Sequence, residues 1–110
     1  VIRARSIEDL FDWAEVFASQ PLPKGKRIAI ITNAGGPGII ATDKAAEEKL
    51  TLATVNMATV GKLKEVLPPA ASVYNPIDIL GDADSRRYQQ AIELVAQAEE
   101  VDGILIILSP

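Results

Sequence analysis

Histidine and cysteine are both missing from this chain of 110 residues. Without them it has no thiol nucleophile, no Ser-His pair, no disulfide, no zinc cage of the usual ligands and no imidazole to phosphorylate. A reaction that needs any of these must take it from elsewhere. Aromatic residues are few, two Phe, two Tyr and one Trp, while Ile, Val, Leu and Ala are many. That balance suits a parallel sheet covered by helices better than an antiparallel sandwich, and the length suits one domain. Basic residues are outnumbered by acidic ones, 11 against 15. Only Lys24, Lys26 and Arg27 cluster, which argues against nucleic acid as a partner. The longest apolar run, Ile104 to Leu108, is far too short to span a bilayer, and no charged-then-apolar leader opens the chain, so no membrane and a cytoplasmic setting are expected.

The run from Ile28 to Asp43 reads as a buried strand, a glycine loop and the first turns of a helix, the arrangement by which α/β proteins build an anion site. Gly35, Gly36 and Gly38 let the main chain approach a ligand, and Pro37 suits the first helical position. The opening residues Pro37 to Ile40 carry no acid to offset the positive end of the helix dipole. Other helix starts in the chain are self-complemented: Ser6 is followed by Glu8 and Asp9, and Asp82 and Asp84 precede a helix beginning near Ser85. The contrast favours an anion seat. The competing reading is a tight strand-to-helix turn whose glycines serve packing alone.

Ile7, Leu10, Phe11, Ala14 and Phe17 recur at helical spacing until Gln20-Pro21, which predicts an amphipathic first helix that packs against something, with Trp13 at its boundary. Lys26 to Thr32 is the first strand, apolar throughout its middle. The second helix follows, with Ile39, Ile40, Ala46 and Leu50 as its apolar set. Thr51 to Val55 is the next strand, Thr59 caps a helix over Val60 to Val66, and Pro68-Pro69 ends it. Asn75-Pro76 is extended or turned, and Ile77 to Leu80 is a short strand or an ordered loop. Tyr88, Ala91, Ile92, Val95 and Ala96 mark another helix, and Val101 to Leu108 a third core strand. Right-handed crossovers then give a parallel sheet in the order 2-1-3. Its ligands would gather where Thr32-Asn33 and Ser109-Pro110 emerge side by side. With no helix after the third strand, one sheet edge is expected to be uncovered. That makes the chain part of a larger domain or leaves the edge for another chain, including a second copy.

Gly36 to Ala41 matches G-x-G-x-x-A, yet no acid stands near the end of the second strand to hold a ribose, which weighs against a dinucleotide. No Gly-Lys-Ser/Thr follows the loop, so a P-loop is excluded. Asp78, Asp82 and Asp84 fit no calcium loop, and no metal site is expected. Asp82 and Asp84 suit capping and turns. Asp78 stands in an otherwise apolar stretch and is open to either a functional or a structural role.

Taken together, Thr32-Asn33-Ala34-Gly35-Gly36-Pro37-Gly38, Ala41-Thr42-Asp43, Leu67-Pro68-Pro69-Ala70-Ala71-Ser72, Asn75-Pro76-Ile77-Asp78 and Val101-Asp102-Gly103 resemble the NDP-forming acyl-CoA synthetases over nearly the whole chain. The resemblance implies a three-layer αβα, flavodoxin-like ligase domain of the succinyl-CoA synthetase type, here ending after its third core strand. Residues 1–25 would be a helix and connector and 26–110 the βαβαβ core. It implies an enzyme that converts acyl-CoA, phosphate and ADP into acid, CoA and ATP through an acyl phosphate and a phosphohistidine. CoA, ADP or ATP, phosphate and Mg would be needed by the whole enzyme, and none would be bound by this chain alone. The histidine would lie on another domain, so no catalytic residue is expected here. The implied partners are the CoA-binding domain, the histidine-bearing domain and an ATP-grasp domain or subunit. Carried onto this sequence, Asn33, Ala34, Gly35, Gly36 and Gly38 would hold the phosphate, and Thr32, Asn75, Asp78 and Ser109 would line the adjacent crevice. Where relatives commonly have glycine at the end of the second helix, this chain has Lys49. Two other readings stay open: a sensor or scaffold domain of a synthetase-like protein acetyltransferase, and a mononucleotide-binding flavodoxin-like module.

Overall fold

The computed structural model describes residues 3–110. Its elements, in chain order, are α1 (Ile7–Ser19), β1 (Arg27–Thr32), α2 (Gly35–Glu47), β2 (Thr51–Leu52), α3 (Met57–Val66), β3 (Ile77–Asp78), α4 (Ser85–Ala96) and β4 (Gly103–Ile107). The pairings between these strands are all parallel and all involve β1, and an isolated antiparallel bridge joins Ser72 to Asp78. β4 lies along one edge of it from Ile28↔Gly103 to Thr32↔Ile107. β2 meets the start of β1 at Arg27↔Thr51 and Ile28↔Leu52, and β3 meets its end at Ile31↔Ile77 and Thr32↔Asp78. Because β4 occupies one edge over that whole length, β2 and β3 follow one another along the other. The expected 2-1-3 order, whose third strand is Val101 to Leu108, is therefore β2-β1-β4, and Ile77-Asp78 adds a short strand.

Between β2 and β3 the ladder has a gap, and Asn75 fills it. Its Oδ1 accepts from the Ile30 N–H at 2.9 Å, and its Nδ2 donates to the carbonyls of Ile28 at 2.8 Å and Ala53 at 3.0 Å. An amide side chain thus substitutes for a backbone rung, satisfying groups of a central strand that would otherwise be buried without partners.

Ala29 and Ile31 join Val60, Leu63, Ile77, Ile79, Ala91 and Val95 in the main core, so α3 and α4 cover one face of the sheet. α2 covers the other with small residues: Gly38 and Ala45 are its buried positions, while Ile39, Ile40 and Leu50 are exposed, unlike the apolar set read from the sequence. The reason is close approach. A Cβ at Gly38 would stand 3.0 Å from Thr32 Cγ2 and 3.6 Å from Pro76 Cβ, so the helix lies too near the strand for larger side chains at that point. α1 buries none of its residues, and Ile7, Leu10, Phe11 and Phe17 are exposed, so the packing expected of that helix is not made within the described residues. Trp13 is half-buried.

Two helix ends differ from expectation. α3 starts earlier than Val60, because Asn56 rather than Thr59 is its cap, with Oδ1 accepting from the Thr59 N–H. α2 ends with Lys49 in the left-handed region, φ 59°, while Leu50 N–H donates to Ala45 and Lys49 N–H to Ala46. This is the double bond of a Schellman ending carried by a lysine, at a cost of about 1 kcal/mol relative to glycine.

Candidate functional site

Every helix begins with N–H groups that its own turn cannot satisfy. Three helices satisfy one of these, the third amide, with a side chain: Ser6 Oγ accepts from Asp9 at 3.0 Å, Asn56 Oδ1 from Thr59 at 2.9 Å and Asp84 Oδ1 from Arg87 at 2.8 Å, whereas the third position of α2 is Pro37, which has no N–H. α2 has Ala34 at that position, no side-chain cap and no acid in its first turn. The helix begins at Gly35, two residues before the Pro37 start read from the sequence. The first return bond is Gly38 N–H to the Ala34 carbonyl, 3.3 Å, which leaves the amides of Gly35 and Gly36 without an acceptor among the described residues.

The three glycines of the loop are there for different reasons. Gly38 is buried and serves packing on Thr32, so its place is inside the fold rather than at the mouth of the loop. Gly35 is tight against Asp78, since a Cβ there would lie 3.3 Å from Oδ2. Gly36 has nothing within 4 Å of where a Cβ would stand, and its φ is not positive. Neither sterics nor backbone conformation asks for glycine at 36, although glycine there weakens the helix by roughly 0.5–1 kcal/mol relative to alanine. What glycine leaves at that point is bare backbone facing outward.

The groups around the loop hold it in place. Thr32 is fully buried; its Oγ1 accepts from Ala34 N–H at 3.0 Å and donates to the Ala34 carbonyl at 2.9 Å, so the Ala34 amide is already engaged. Asn33 exchanges two bonds with Ser109: Nδ2 donates to its carbonyl at 2.8 Å and Oδ1 accepts from its N–H at 2.8 Å. The ends of β1 and β4 are thereby tied together, as the expected meeting of Thr32-Asn33 with Ser109 requires. Asn33 and Ser109 act on the shape of the loop, their side-chain and backbone groups being turned to one another. Thr32, Asn75 and Asp78 do line one crevice of about 320 Å³ beside Gly35, together with Ile39, Tyr74 and Pro76, and Ser109 is not among its walls. The polar atoms of Asn75 are all committed to the sheet, and its peptide to Pro76 is cis.

Asp78 bridges two roles. Oδ1 accepts from the Leu80 N–H at 2.9 Å and holds Leu80 at φ 73°, a left-handed conformation that a leucine adopts at a cost of about 1–2 kcal/mol. This turn brings the Ile79–Asp84 loop back over the end of β1: Ile79 N–H donates to the Thr32 carbonyl at 2.8 Å, and a Cβ at Gly81 would lie 3.7 Å from the Asn33 carbonyl oxygen. Leu80 was not legible in the sequence, since Leu-Gly gives no sign of which residue takes the left-handed position. On the β4 side, burial pushes the Tyr88 hydroxyl above its usual pKa, keeping it a donor to the Ile107 carbonyl at 2.8 Å. Asp82 and Asp84 serve α4, the former paired with Arg87, as the capping reading expected. Among the described residues no group of three or more acidic side chains could hold a metal ion.

A family model described as the Ligase-CoA domain matches residues 28–108. The chain is 43% identical over its whole length to an ADP-forming acetate-CoA ligase I of Archaeoglobus fulgidus, of which it spans 16%. It is 38% identical over 99% of its length to an ADP-forming 4-hydroxybutyrate-CoA ligase of Nitrosopumilus maritimus, again 16% of that protein. A solved structure from Pyrococcus horikoshii OT3 superposes with TM-score 0.89 at 39% identity, covering 98% of this chain and 25% of the other. The dinucleotide-forming acetyl-coenzyme A synthetase 1 of Ca. Korarchaeum cryptofilum, solved in complex with phosphate and ADP, superposes with TM-score 0.87 at 32% identity, covering 98% of this chain and 23% of that one. With the matched residues running from β1 to just past β4 and taking in the whole uncapped loop, this chain belongs to the Ligase-CoA domain family.

Proposed function

We propose that this chain works as one domain of an ADP-forming acid-CoA ligase and that the amino end of α2 receives the phosphoryl group of a phosphohistidine presented by another domain. In the reaction, phosphate displaces CoA from the acyl-CoA to give an acyl phosphate. A histidine takes the phosphoryl group and releases the acid, and ADP takes it in turn to give ATP. Phosphoryl transfer asks mainly for position and charge stabilisation, and a helix end with two free amides supplies both without a nucleophile of its own. The absence of histidine is consistent with that division of labour.

The observation that carries the proposal is that the amino end of α2 has neither a side-chain cap nor an acid in its first turn and presents the exposed backbone of Gly35 and Gly36, whereas each of the other three helices carries a capping side chain. Gly36 adds to it, because the fold itself gives no reason for glycine there. Asn33, Ala34 and Thr32 shape the loop, Gly38 lets α2 approach β1, and Asp78 borders the seat. In the assembled enzyme, residues 26–110 form the core, with residues 1–25 as helix and connector. The partners are a CoA-binding domain, a histidine-bearing domain and an ATP-grasp domain or subunit, and the setting is cytoplasmic. The residues present fit phosphate. Among the described residues no group of three or more acidic side chains gathers to ligate magnesium.

The test is Gly36→Asp in the protein that joins this chain to its partner domains. The open space at 36 accepts the side chain, and an acid in the first turn suits the helix dipole, so folding should be retained. The rate of ATP formation from acyl-CoA, phosphate and ADP should fall by about a hundredfold or more, as when a preorganised donor is lost. Turnover near that of the parent would contradict the assignment.

A further inference from the structure

We infer that α1 is a docking face for a helix of another domain or chain, one whose apolar stripe is bordered by lysine or arginine. α1 is well specified as a helix: Ser6 Oγ accepts from the Asp9 N–H, and Asp9 Oδ2 accepts from the Arg5 N–H, each at 3.0 Å. Yet it buries none of its residues. Ile7, Leu10, Phe11 and Phe17 lie on one side of it at helical spacing, and each is more than half exposed. Its 13 residues are a length at which an isolated helix is marginal in water, so its stability calls for a packed apolar face. The described residues leave that face uncovered.

The charges beside the stripe say what covers it. Glu8, Asp12 and Glu15 succeed one another at helical spacing and form an acidic row along one border of the apolar face. All three are exposed, and among the described residues no lysine or arginine pairs with them. From Ile7 to Ser19 the helix itself has no basic residue. A second copy of α1 therefore brings apolar contact but only further acids to that row. A lipid surface is disfavoured by the same row, because helices that lie on membranes carry lysine and arginine on their polar side. What answers both features at once is a helix with an apolar stripe and a cationic border, laid along α1 so that the stripes interdigitate and the charges pair across the seam.

The probes are two synthetic helical peptides with the same leucine stripe, one bordered by lysine and one by glutamate. They are titrated into the chain and read by the fluorescence of Trp13, its only tryptophan. The lysine peptide should bind at least about tenfold more tightly at low salt, and the difference should shrink as salt screens the pairs. Leu10→Asp with Phe11→Asp should weaken its binding by about tenfold or more, since the stripe is then broken. Asp12→Lys with Glu15→Lys should reverse the preference, and lysine toward the carboxyl end suits the helix dipole, so the helix should persist. Because α1 contributes nothing to the main core, both pairs of changes should leave the thermal midpoint of the chain unaltered. Equal binding of the two peptides, or binding of neither, overturns the inference. So does self-association of the chain that Phe11→Asp abolishes, or attachment of α1 to phosphatidylglycerol vesicles in preference to the lysine peptide. Should a variant fail to fold, the ratio measured on the parent chain still decides.

Discussion

The amino ends of α2 and α4 pose the same problem to the backbone and meet it in opposite ways. Both helices follow a strand that ends at the same side of the sheet, and both start with N–H groups in need of acceptors. At α4 the chain supplies a cap and a charged brace: Asp84 accepts from the Arg87 N–H, and the Arg87 side chain in turn reaches Asp82 and the Ile79 carbonyl at 3.0 Å. At α2 it supplies an alanine and two glycines. A helix end closed by its own acids contributes to stability and is inert. One left open gives up that stabilisation, about 0.5–2 kcal/mol for a missing cap, and gains a place for an external charge.

The sharpest way to break this comparison is to exchange the two ends. Ala34→Asp places a cap on α2 at a residue already in the extended conformation that caps require, φ −144°, ψ 121°. Phosphate affinity should fall by tenfold or more, about 1.4 kcal/mol, while the thermal midpoint rises with a stabilisation of about 1 kcal/mol. Asp84→Ala is the reciprocal change. It should lower stability by about 1 kcal/mol and leave phosphate affinity unchanged, and calorimetry with anion titration on both variants checks the pair. If Ala34→Asp were to leave phosphate affinity intact, the open end of α2 would be no more than a missing cap.

A smaller effect, at the far end of the sheet, serves as a control. There Asp102 is bound by the Arg27 side chain through Nε and Nη2, each at 2.9 Å, and by the Arg27 N–H at 2.9 Å. The hydrogen bond from the guanidinium, then that from the amide, hold its pKa down at about 2. A carboxyl depressed in the folded state stabilises the fold above its unfolded pKa of about 3.9 and ceases to do so as pH falls through the folded value. Thermal midpoints should therefore decline from about pH 4 toward pH 2, and Asp102→Asn should flatten that decline. Phosphate binding at neutral pH should be the same in both proteins, because this pair lies at the start of β1, away from Gly35 and Gly36.

How much of this was legible in the sequence follows from which forces are local. The strand, glycine loop and helix from Ile28 onward announce themselves through continuous apolar residues followed by glycines, and the parallel order follows from alternating elements. The caps at Ser6 and Asp84 are local patterns too. What the sequence hid depends on distance and on fit. The face α2 buries differs from its apolar set because the helix lies so close to Thr32 that Gly38, not Ile39 or Ile40, makes the contact. Asn56 and Thr59 are both competent caps three positions apart, and local pattern alone does not tell which of them starts α3. The role of Asn75 as a rung between β1 and β2 joins residues 45 and 22 positions away, and no local pattern encodes it. Of the candidate phosphate ligands, only a three-dimensional account of donors separates Gly35 and Gly36 from Asn33, Ala34 and Gly38, whose groups turn inward.

The most direct measurement is a crystal structure of this chain, alone or joined to its partner domains, grown in inorganic phosphate. A tetrahedral anion should stand within hydrogen-bond distance, about 3 Å, of both the Gly35 and Gly36 nitrogens, with none at the Ser6, Asn56 or Asp84 ends. Phosphate bound elsewhere on the chain, with those two nitrogens facing only water or a protein carbonyl, would contradict the account.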